Sequence, residues 1–317
     1  MTYTIKLITT EEKEQMDDHF MSKIRYELKS EIYGCCIKFL SDNHLFRETW
    51  QENFYPMCQN IRSHGRLFVF NDTGYPQNTV FFDPYSKTAF LLNFSYYGWV
   101  KSIALAIAGD ILEDEHDIFS LHGACVDLDG KGLCMVGTSG AGKTTQTYGL
   151  LTDPHTRIIS DDWFFSRVFG LDILGYGSEK NFYIRDDLTT IWKEYGGLAA
   201  DTEYDADRRA VADIRWIIGK GRLLPLTTIR TIVILKRDPA DPAKIQPLTP
   251  GAAQDIILRN NYFNPHLLVV NERKTRLRNR FIADLLGRTT CYLVNTTGTP
   301  RETQKIIRSR AGLEDVT

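Results

Sequence analysis

The feature that most constrains this sequence is a glycine-rich string placed between an apolar run and a helical pattern. The string matches the pattern G-x-x-x-x-G-K-[ST] in full and consists of Gly137, Thr138, Ser139, Gly140, Ala141, Gly142, Lys143 and Thr144. Residues 133–136 predict a strand before it, and a helix is expected from Thr145. Glycines let a backbone curl so that its N–H groups face a polyphosphate, and the helix N-terminus adds partial positive charge. The order of strand, loop and helix therefore predicts a phosphate-binding loop.

The two residues that end the string have separate expected roles. Lys143 would reach the β- and γ-phosphates of ATP, and the Thr144 hydroxyl would ligate Mg²⁺. Thr145, the next residue, is included in the predicted nucleotide site. The alternative interpretation is a glycine-rich turn that only precedes a helix, and the strand and helix patterns on either side favour the phosphate site.

The composition excludes several other classes of protein. The chain has 317 residues, of which 43% are hydrophobic, so it can bury the core of one or two domains. Its formal net charge of -2 argues against a protein that mainly binds nucleic acid. The cysteines show no C-x-x-C pair and no zinc spacing, which favours free thiols in a reducing compartment. The N-terminus has no signal-peptide pattern, and we expect a cytoplasmic protein that does not bind a membrane.

The first third of the chain predicts a small β-rich α+β domain. Thr9 and Glu12 have the spacing of a capping box, and a helix with one apolar face is expected behind them. Short runs rich in aromatic and β-branched residues follow at 33–40, 67–70, 79–82 and 89–94. A helix is expected over 96–112, before an acidic stretch. We therefore predict an N-terminal domain at 1–116 and a nucleotide-binding domain at 117–317.

A predicted hairpin brings a histidine to the edge of the phosphate loop. Two strand patterns flank Asp129-Gly130, the dipeptide that favours a two-residue type I′ turn. In that register Leu128 faces Lys131, and His122 faces Gly137, the first residue of the loop. A lone histidine at the start of a strand is usually structural, but this position favours a role in the nucleotide site.

Two adjacent carboxylates end the strand pattern that follows the expected loop helix. Residues 157–160 are strand-like and lead into Asp161 and Asp162. A carboxylate after this strand is expected to meet Mg²⁺ or its bound water. Because neighbouring strand residues point to opposite sides, the two carboxylates should have different tasks. A turn or helix cap is the alternative for Asp-Asp, and the position after a phosphate loop favours the site.

The rest of the chain supplies one more candidate and several expected elements. Arg185 lies in a segment that mixes glycines with both charges and could clamp a phosphate or carboxylate, with a solvated loop as the competing interpretation. Helices are expected over 187–195, 205–217, 271–288 and 297–308, and strands over 228–235 and 291–294. The helix over 271–288 has a basic face, which is usually solvated.

The segment from about Leu121 to Arg185 resembles the catalytic domain of HPr kinase/phosphorylase, a family that shares its nucleotide-binding core with the phosphoenolpyruvate carboxykinases. The resemblance is carried by the histidine ahead of the loop, the loop itself and the paired aspartates. It implies an α/β fold, a P-loop kinase domain of HPr kinase/PEP carboxykinase type, here preceded by the small β-rich N-terminal domain. It also implies ATP and Mg²⁺ as cofactors and a homo-oligomeric assembly.

The resemblance implies a role for each residue at the loop. Lys143 and Thr144 would hold phosphate and Mg²⁺. Asp161 would act as the general base on the acceptor hydroxyl, supported by His122. Asp162 would contact the metal.

Past the aspartates, the sequence departs from the family pattern. Arg185 resembles the arginine of an Ile-Arg-Gly segment, but Asp186-Asp187 replaces the following glycines. The family has a glutamate directly before Ile-Arg, where this sequence has Tyr183. Glu179 is the nearest acidic substitute, and we include it among the candidate metal ligands.

These features predict an ATP- and Mg²⁺-dependent kinase that transfers the γ-phosphoryl group to a hydroxyl. The acceptor could be a serine of a protein or peptide or a small hydroxy metabolite, and the N-terminal domain could carry acceptor specificity or a regulatory role. The alternative is a nucleotide-gated regulatory or binding protein without phosphotransfer. Asp161 favours the kinase, because a switch needs no general base. A nucleic-acid-handling ATPase would rest on the basic helix alone, and the net charge opposes it.

Overall fold

The computed structural model describes residues 3–197, 204–205, 208–262, 264 and 266–311. It is a mixed α/β protein whose chain divides into two compact units. The first unit contains the described residues up to Ile118 together with His266–Thr275, and the second contains the others. The expected boundary after residue 116 lies close to this division, whereas no sequence pattern shows that His266–Thr275 joins the first unit. The separate roles expected for the two domains stay a prediction.

The first unit is built on one mixed sheet. Its strands β1–β7 are Thr4–Leu7, Tyr26–Ile32, Cys35–Ser41, Tyr55–Pro56, Gly65–Phe70, Thr79–Asp83 and Thr88–Leu92. Within the described residues they pair in the order β1-β6-β7-β5-β3-β2-β4. Because β3, β5 and β7 are parallel neighbours, their carboxyl ends lie at the same edge of the sheet.

The helices of this unit cover the sheet. Helices α1, α2 and α3 span Thr10–Met21, His44–Asn53 and Tyr97–His116. The predicted capping box is confirmed, since the Thr9 side chain accepts a hydrogen bond from the Glu12 backbone and the Glu12 side chain accepts one from the Thr9 N–H. α3 is buried along most of its length and contacts β3, β5 and β7. None of the described helices combines length with the unbroken apolarity that crossing a bilayer requires.

Buried charges stabilise the C-terminal half of α3. Lys87 forms ion pairs with Asp110 and Asp114, and Lys274 forms ion pairs with both of these and with Glu113. Lys274 is only 4% exposed. The basic face expected over 271–288 is therefore not wholly solvated, because carboxylates of the first unit neutralise this lysine.

The second unit contains a larger mixed sheet. Strands β8–β17 are Phe119–Leu128, Lys131–Gly137, Thr156–Ser160, Trp163–Phe169, Asp172–Gly177, Phe182–Arg185, Arg209–Ala212, Leu226–Lys236, Ile245–Leu248 and Thr290–Asn295. Within the described residues the main sheet has the order β10-β8-β11-β12-β15-β17-β16, and β9 pairs with both β8 and β15. β13 and β14 form a separate antiparallel pair.

Helices pack on both faces of this sheet. Helices α4–α9 are Lys143–Leu151, Leu188–Ile191, Arg215–Ile218, Pro250–Arg259, Glu272–Gly287 and Pro300–Ala311. Alternate residues of β9 face opposite sides: Met135 clusters with Leu150 of α4, and Val136 clusters with Phe281 of α8. The strand is thus buried on both faces, as its continuous apolar sequence predicts.

One predicted helix is wrong. The sequence pattern indicates a helix over 205–217, but its middle forms strand β14, and only α6 near its end is helical; residues 206–207 lie outside the described part. Ala212 pairs with Phe182 of β13 and is buried in a cluster that also contains Ile184. The pairing with β13, whose residues lie 24 to 30 positions earlier along the chain than their partners, overrides the local preference.

Candidate functional site

The predicted hairpin is confirmed in turn type and register. Asp129 and Gly130 have φ angles of 50° and 86°, the positive values that a type I′ turn requires. The ladder runs from the Leu128–Lys131 pair to the pair of Gly123 with Val136. The ladder ends at that pair, so the expected pairing of His122 with Gly137, the next positions along the two strands, stays a prediction.

The loop runs from the end of β9 into α4. A Cβ atom on Gly137 would lie 2.5 Å from the Leu235 carbonyl oxygen of neighbouring β15, so only glycine fits at this position. Gly142 has a φ angle of 100° and forms the N-cap of α4, which begins at Lys143. The free backbone N–H groups of the first turn therefore lie directly after the loop, where a phosphate would be bound.

Lys143 folds back onto the loop. Its Nζ donates hydrogen bonds to the carbonyl oxygens of Gly137, at 2.8 Å, and Thr138, at 3.3 Å. Burial lowers the pKa of its amine, while the carboxylates of Asp162 and Asp161 act in the opposite direction. The predicted phosphate-binding lysine and both predicted carboxylates are thus close enough to interact electrostatically.

The two carboxylates have different environments, as their alternation predicts. Asp161 is 2% exposed, whereas the side chain of Asp162 is 39% exposed. His122 Nε2 lies 3.2 Å from Asp162 Oδ1, because His122 is paired across the sheet with Trp163, the residue after Asp162. This hydrogen bond joins His122 to Asp162, and the expected support of Asp161 by His122 stays a prediction.

The charges of Glu179 and Asp161 both act on the hydroxyl of a buried tyrosine, Tyr148. Burial raises the pKa of the Tyr148 phenol well above its usual range, and the charges of Asp161 and Glu179 add to this shift. Tyr148 lies on α4, one turn after Lys143, and is fully buried. The role of Glu179, the more distant metal candidate, stays a prediction.

The Tyr148 hydroxyl is buried without a hydrogen-bond partner among the described residues. A buried unsatisfied hydroxyl is unfavourable, so Tyr148→Phe is expected to raise the free energy of unfolding by about 1 kcal/mol, measured by urea denaturation. Tyr195→Phe is the matched control, because the Tyr195 hydroxyl donates to the Tyr148 carbonyl at 2.7 Å. That variant should be destabilised by a similar amount. Destabilisation by Tyr148→Phe would show that its hydroxyl is hydrogen-bonded in solution.

Arg185 is not brought to the loop by any contact between described residues. It ends β13, pairs across that ribbon with Arg209, and its Nε lies 3.8 Å from Asp187 Oδ2. Its side chain is 56% exposed. The competing interpretation of a solvated charge fits this geometry, and the predicted role in phosphate clamping stays a prediction.

Other side chains hold α4 in place through contacts that the sequence does not predict. Trp192 Nε1 donates to the Thr145 carbonyl at 2.8 Å, on the first turn of the helix. Arg308 of α9 donates to the Gly149 carbonyl and pairs with Asp153 at the other end. Since these partners are 47 to 159 residues apart along the chain, no local pattern reveals them.

The donor set fits a magnesium ion that also binds phosphate. The described residues contain no group of three or more His, Cys, Asp or Glu side chains placed to hold a metal alone. Mg²⁺ in nucleotide sites usually takes one or two protein ligands and completes its shell with phosphate oxygens and waters. The hydroxyl of Thr144, at the start of α4, and the half-exposed carboxylate of Asp162 are hard oxygen donors of this kind.

Comparison with known proteins does not identify a family for this chain. No model of a known protein family matches the sequence, and no curated protein is detectably similar to it. Among solved structures, the Hpr(Ser) kinase/phosphatase from Coxiella burnetii aligns with the chain at a TM-score of 0.35 and 12% sequence identity. The alignment covers 61% of this chain and 95% of that chain. A TM-score of this size carries no argument, so a function can be proposed only from the residues of the site.

Proposed function

We propose that the second unit is a P-loop kinase domain of HPr kinase/PEP carboxykinase type that uses ATP and Mg²⁺. In this proposal it transfers the γ-phosphoryl group to a hydroxyl acceptor. The observation that carries the proposal is that the loop and the pair of carboxylates adjoin the same strand. β8 pairs with β9, which ends in the loop, and with β11, which begins directly after Asp162, and His122 of β8 lies 3.2 Å from Asp162. A phosphate loop alone would suit any nucleotide-binding protein, whereas the added carboxylates supply a base and a metal ligand.

The loop side of the site binds the nucleotide. Backbone N–H groups at the start of α4 hold the phosphates, and Lys143 leaves the loop carbonyls to contact the β- and γ-phosphates. Bound Mg²⁺ would neutralise charge on the phosphate oxygens. Thr144 and Asp162 would hold this ion, and Glu179 stays a more distant candidate.

The carboxylate side of the site activates the acceptor. Asp161 accepts the proton of the acceptor hydroxyl as the γ-phosphoryl group leaves in line. His122 is a positioning residue that orients Asp162 through the hydrogen bond between them. Arg185 would have to move toward the loop to contact the transferred phosphate, and we retain it as the least supported member of the site.

An acceptor screen tests the proposal. The purified protein is incubated with Mg²⁺, ATP labelled at the γ-phosphate and a cell extract separated into small molecules and proteins. Label that appears in one fraction with the parent protein, but not with the Asp161→Asn variant run alongside it, would identify a kinase and its substrate class, a small hydroxy metabolite or a protein or peptide serine. ATP binding without label in either fraction would contradict the kinase and support the nucleotide-gated regulator.

A further inference from the structure

A cavity of about 510 Å³ lies in the first unit, at the carboxyl edge of its sheet. Two of its lining residues, Asn71 and Asn93, come directly after the ends of β5 and β7, and a third, Asn43, lies two positions after the end of their parallel neighbour β3. Gln77 and Asn78 also line it and precede β6, which runs antiparallel to β7 and so begins at the same edge. Crevices outside the carboxyl ends of parallel strands are the usual ligand sites of such sheets.

The lining of this cavity is rich in amides. Five of its nine residues are Asn or Gln, although these two types account for only 21 of the 317 residues of the chain. The lining residues, all within the described part of the chain, include no Asp, Glu, Lys, Arg or His. Because each amide carries both a donor and an acceptor, the cavity matches a ligand with mixed hydrogen-bonding groups and no net charge.

Two of the amide side chains, those of Asn93 and Asn43, form hydrogen bonds that hold the walls of the cavity in place. Asn93 accepts a hydrogen bond from the Asp72 N–H and donates to the carbonyl oxygens of Asp72 and Tyr75, which holds the loop between β5 and β6. Asn43 caps α2 by accepting a hydrogen bond from the Phe46 N–H. These contacts fix the positions of the walls before any ligand binds.

Other polar groups of the lining are available to a ligand. The side chains of Asn71, Gln77 and Ser95 are exposed and form no hydrogen bond with any described residue. Apolar surface lies beside them: Leu45 is 70% exposed, and Phe94 is 3% exposed at the base. Free amides next to apolar surface suit a compound that has hydroxyl groups on one side and C–H groups on the other.

We propose that this cavity binds a neutral polyhydroxylated small molecule, a monosaccharide or a polyol. Hydroxyl groups donate and accept, as the amides of Asn71 and Gln77 do, so each can be satisfied without a charged partner. A phosphate ester or a carboxylate would find no cationic side chain among the lining residues to pair with its charge. The proposal does not depend on phosphoryl transfer, because binding is measured without ATP.

Ligand-observed NMR by saturation transfer tests the proposal on the full chain. The probes are glucose, mannose, ribose, myo-inositol and sorbitol, with glucose 6-phosphate as the charged comparison, and calorimetry then gives the Kd of the compound that binds best. We expect saturable binding of at least one neutral probe and weaker binding of the phosphate ester. Absence of saturable binding for all neutral probes, or tighter binding of glucose 6-phosphate, would overturn the proposal.

Variants connect such binding to the cavity. Asn71→Ala and Gln77→Ala should each lower the affinity for the best neutral probe by about 3- to 10-fold, which is the effect of losing one hydrogen bond. Asn60→Ala is the control, because Asn60 is an exposed amide of the same unit that does not line the cavity. If all three variants bind the probe with the affinity of the parent protein, the ligand binds elsewhere and its assignment to this cavity is refuted. All three positions are exposed, so each variant should fold like the parent, and the midpoint of thermal unfolding checks this.

Discussion

Replacement of Lys143 by alanine is expected to lower the rate of phosphoryl transfer from ATP by about a thousandfold. The Lys143 amine lies 2.8 Å from the Gly137 carbonyl oxygen, so it is already held against the loop where the phosphates would bind. Its removal takes away the cation that would stabilise the negative charge on the transferred group. The initial rate with ATP labelled at the γ-phosphate measures the effect once an acceptor is known.

Lys131→Ala provides the matched control for this variant. Lys131 begins β9, the strand that leads into the loop, but its side chain is exposed at the hairpin turn. It should transfer phosphate at the parent rate. Because Lys143 is buried, the unfolding midpoints of both variants are compared with that of the parent. Parent-level transfer by folded Lys143→Ala would show that the loop does not position the reacting phosphate.

Asp161→Asn is expected to retain ATP binding and to lose phosphoryl transfer by a factor of about 10² to 10⁴. The amide has the size of the carboxylate, so the buried site keeps its shape, but it cannot accept the acceptor's proton. Calorimetry measures ATP affinity, and the labelled-phosphate assay measures the rate. Transfer at the parent rate by this variant would refute Asp161 as the general base.

Asp162→Asn separates the roles of the two neighbours. Asp162 is half-exposed and hydrogen-bonded to His122, so its loss should mainly raise the Mg²⁺ concentration needed for half-maximal rate. His122→Gln should shift the same Mg²⁺ dependence to a smaller extent, because it acts through Asp162. If instead Asp162→Asn abolishes transfer at saturating Mg²⁺ while Asp161→Asn is active, the two carboxylates exchange roles, with the exposed one as the base.

The parts of this protein that could be predicted from sequence are those fixed by short-range chemistry. Asp129-Gly130 determines a two-residue turn, and the strict pairing of a hairpin then carries its register as far as Gly123, the residue next to His122. The capping residues Thr9 and Glu12 are likewise three positions apart, and they mark the start of α1 correctly. In both cases one local interaction determines the structure.

The parts that could not be predicted depend on contacts between distant segments. The sequence pattern predicts that Lys274 belongs to the basic face of a helix. In the structure it is buried against three carboxylates that lie about 160 positions earlier in the chain. The sequence pattern of β14 predicts a helix, because no neighbouring residue indicates its pairing with β13. The amide-rich cavity is equally hidden, since its walls come from three separate loops, and each Asn alone reads as an ordinary turn residue.

Whether the purified protein moves the terminal phosphate of ATP to a hydroxyl is the most direct test. Two parallel reactions with Mg²⁺ and cell extract use ATP labelled at the γ-phosphate or at the α-phosphate, each with the parent and with Asp161→Asn. We predict that only the γ-label reaches an acceptor, as an acid-stable phosphate ester, and only with the parent protein. Saturable ATP binding without transfer of either label, or equal transfer by Asp161→Asn, would contradict a kinase that works through this carboxylate.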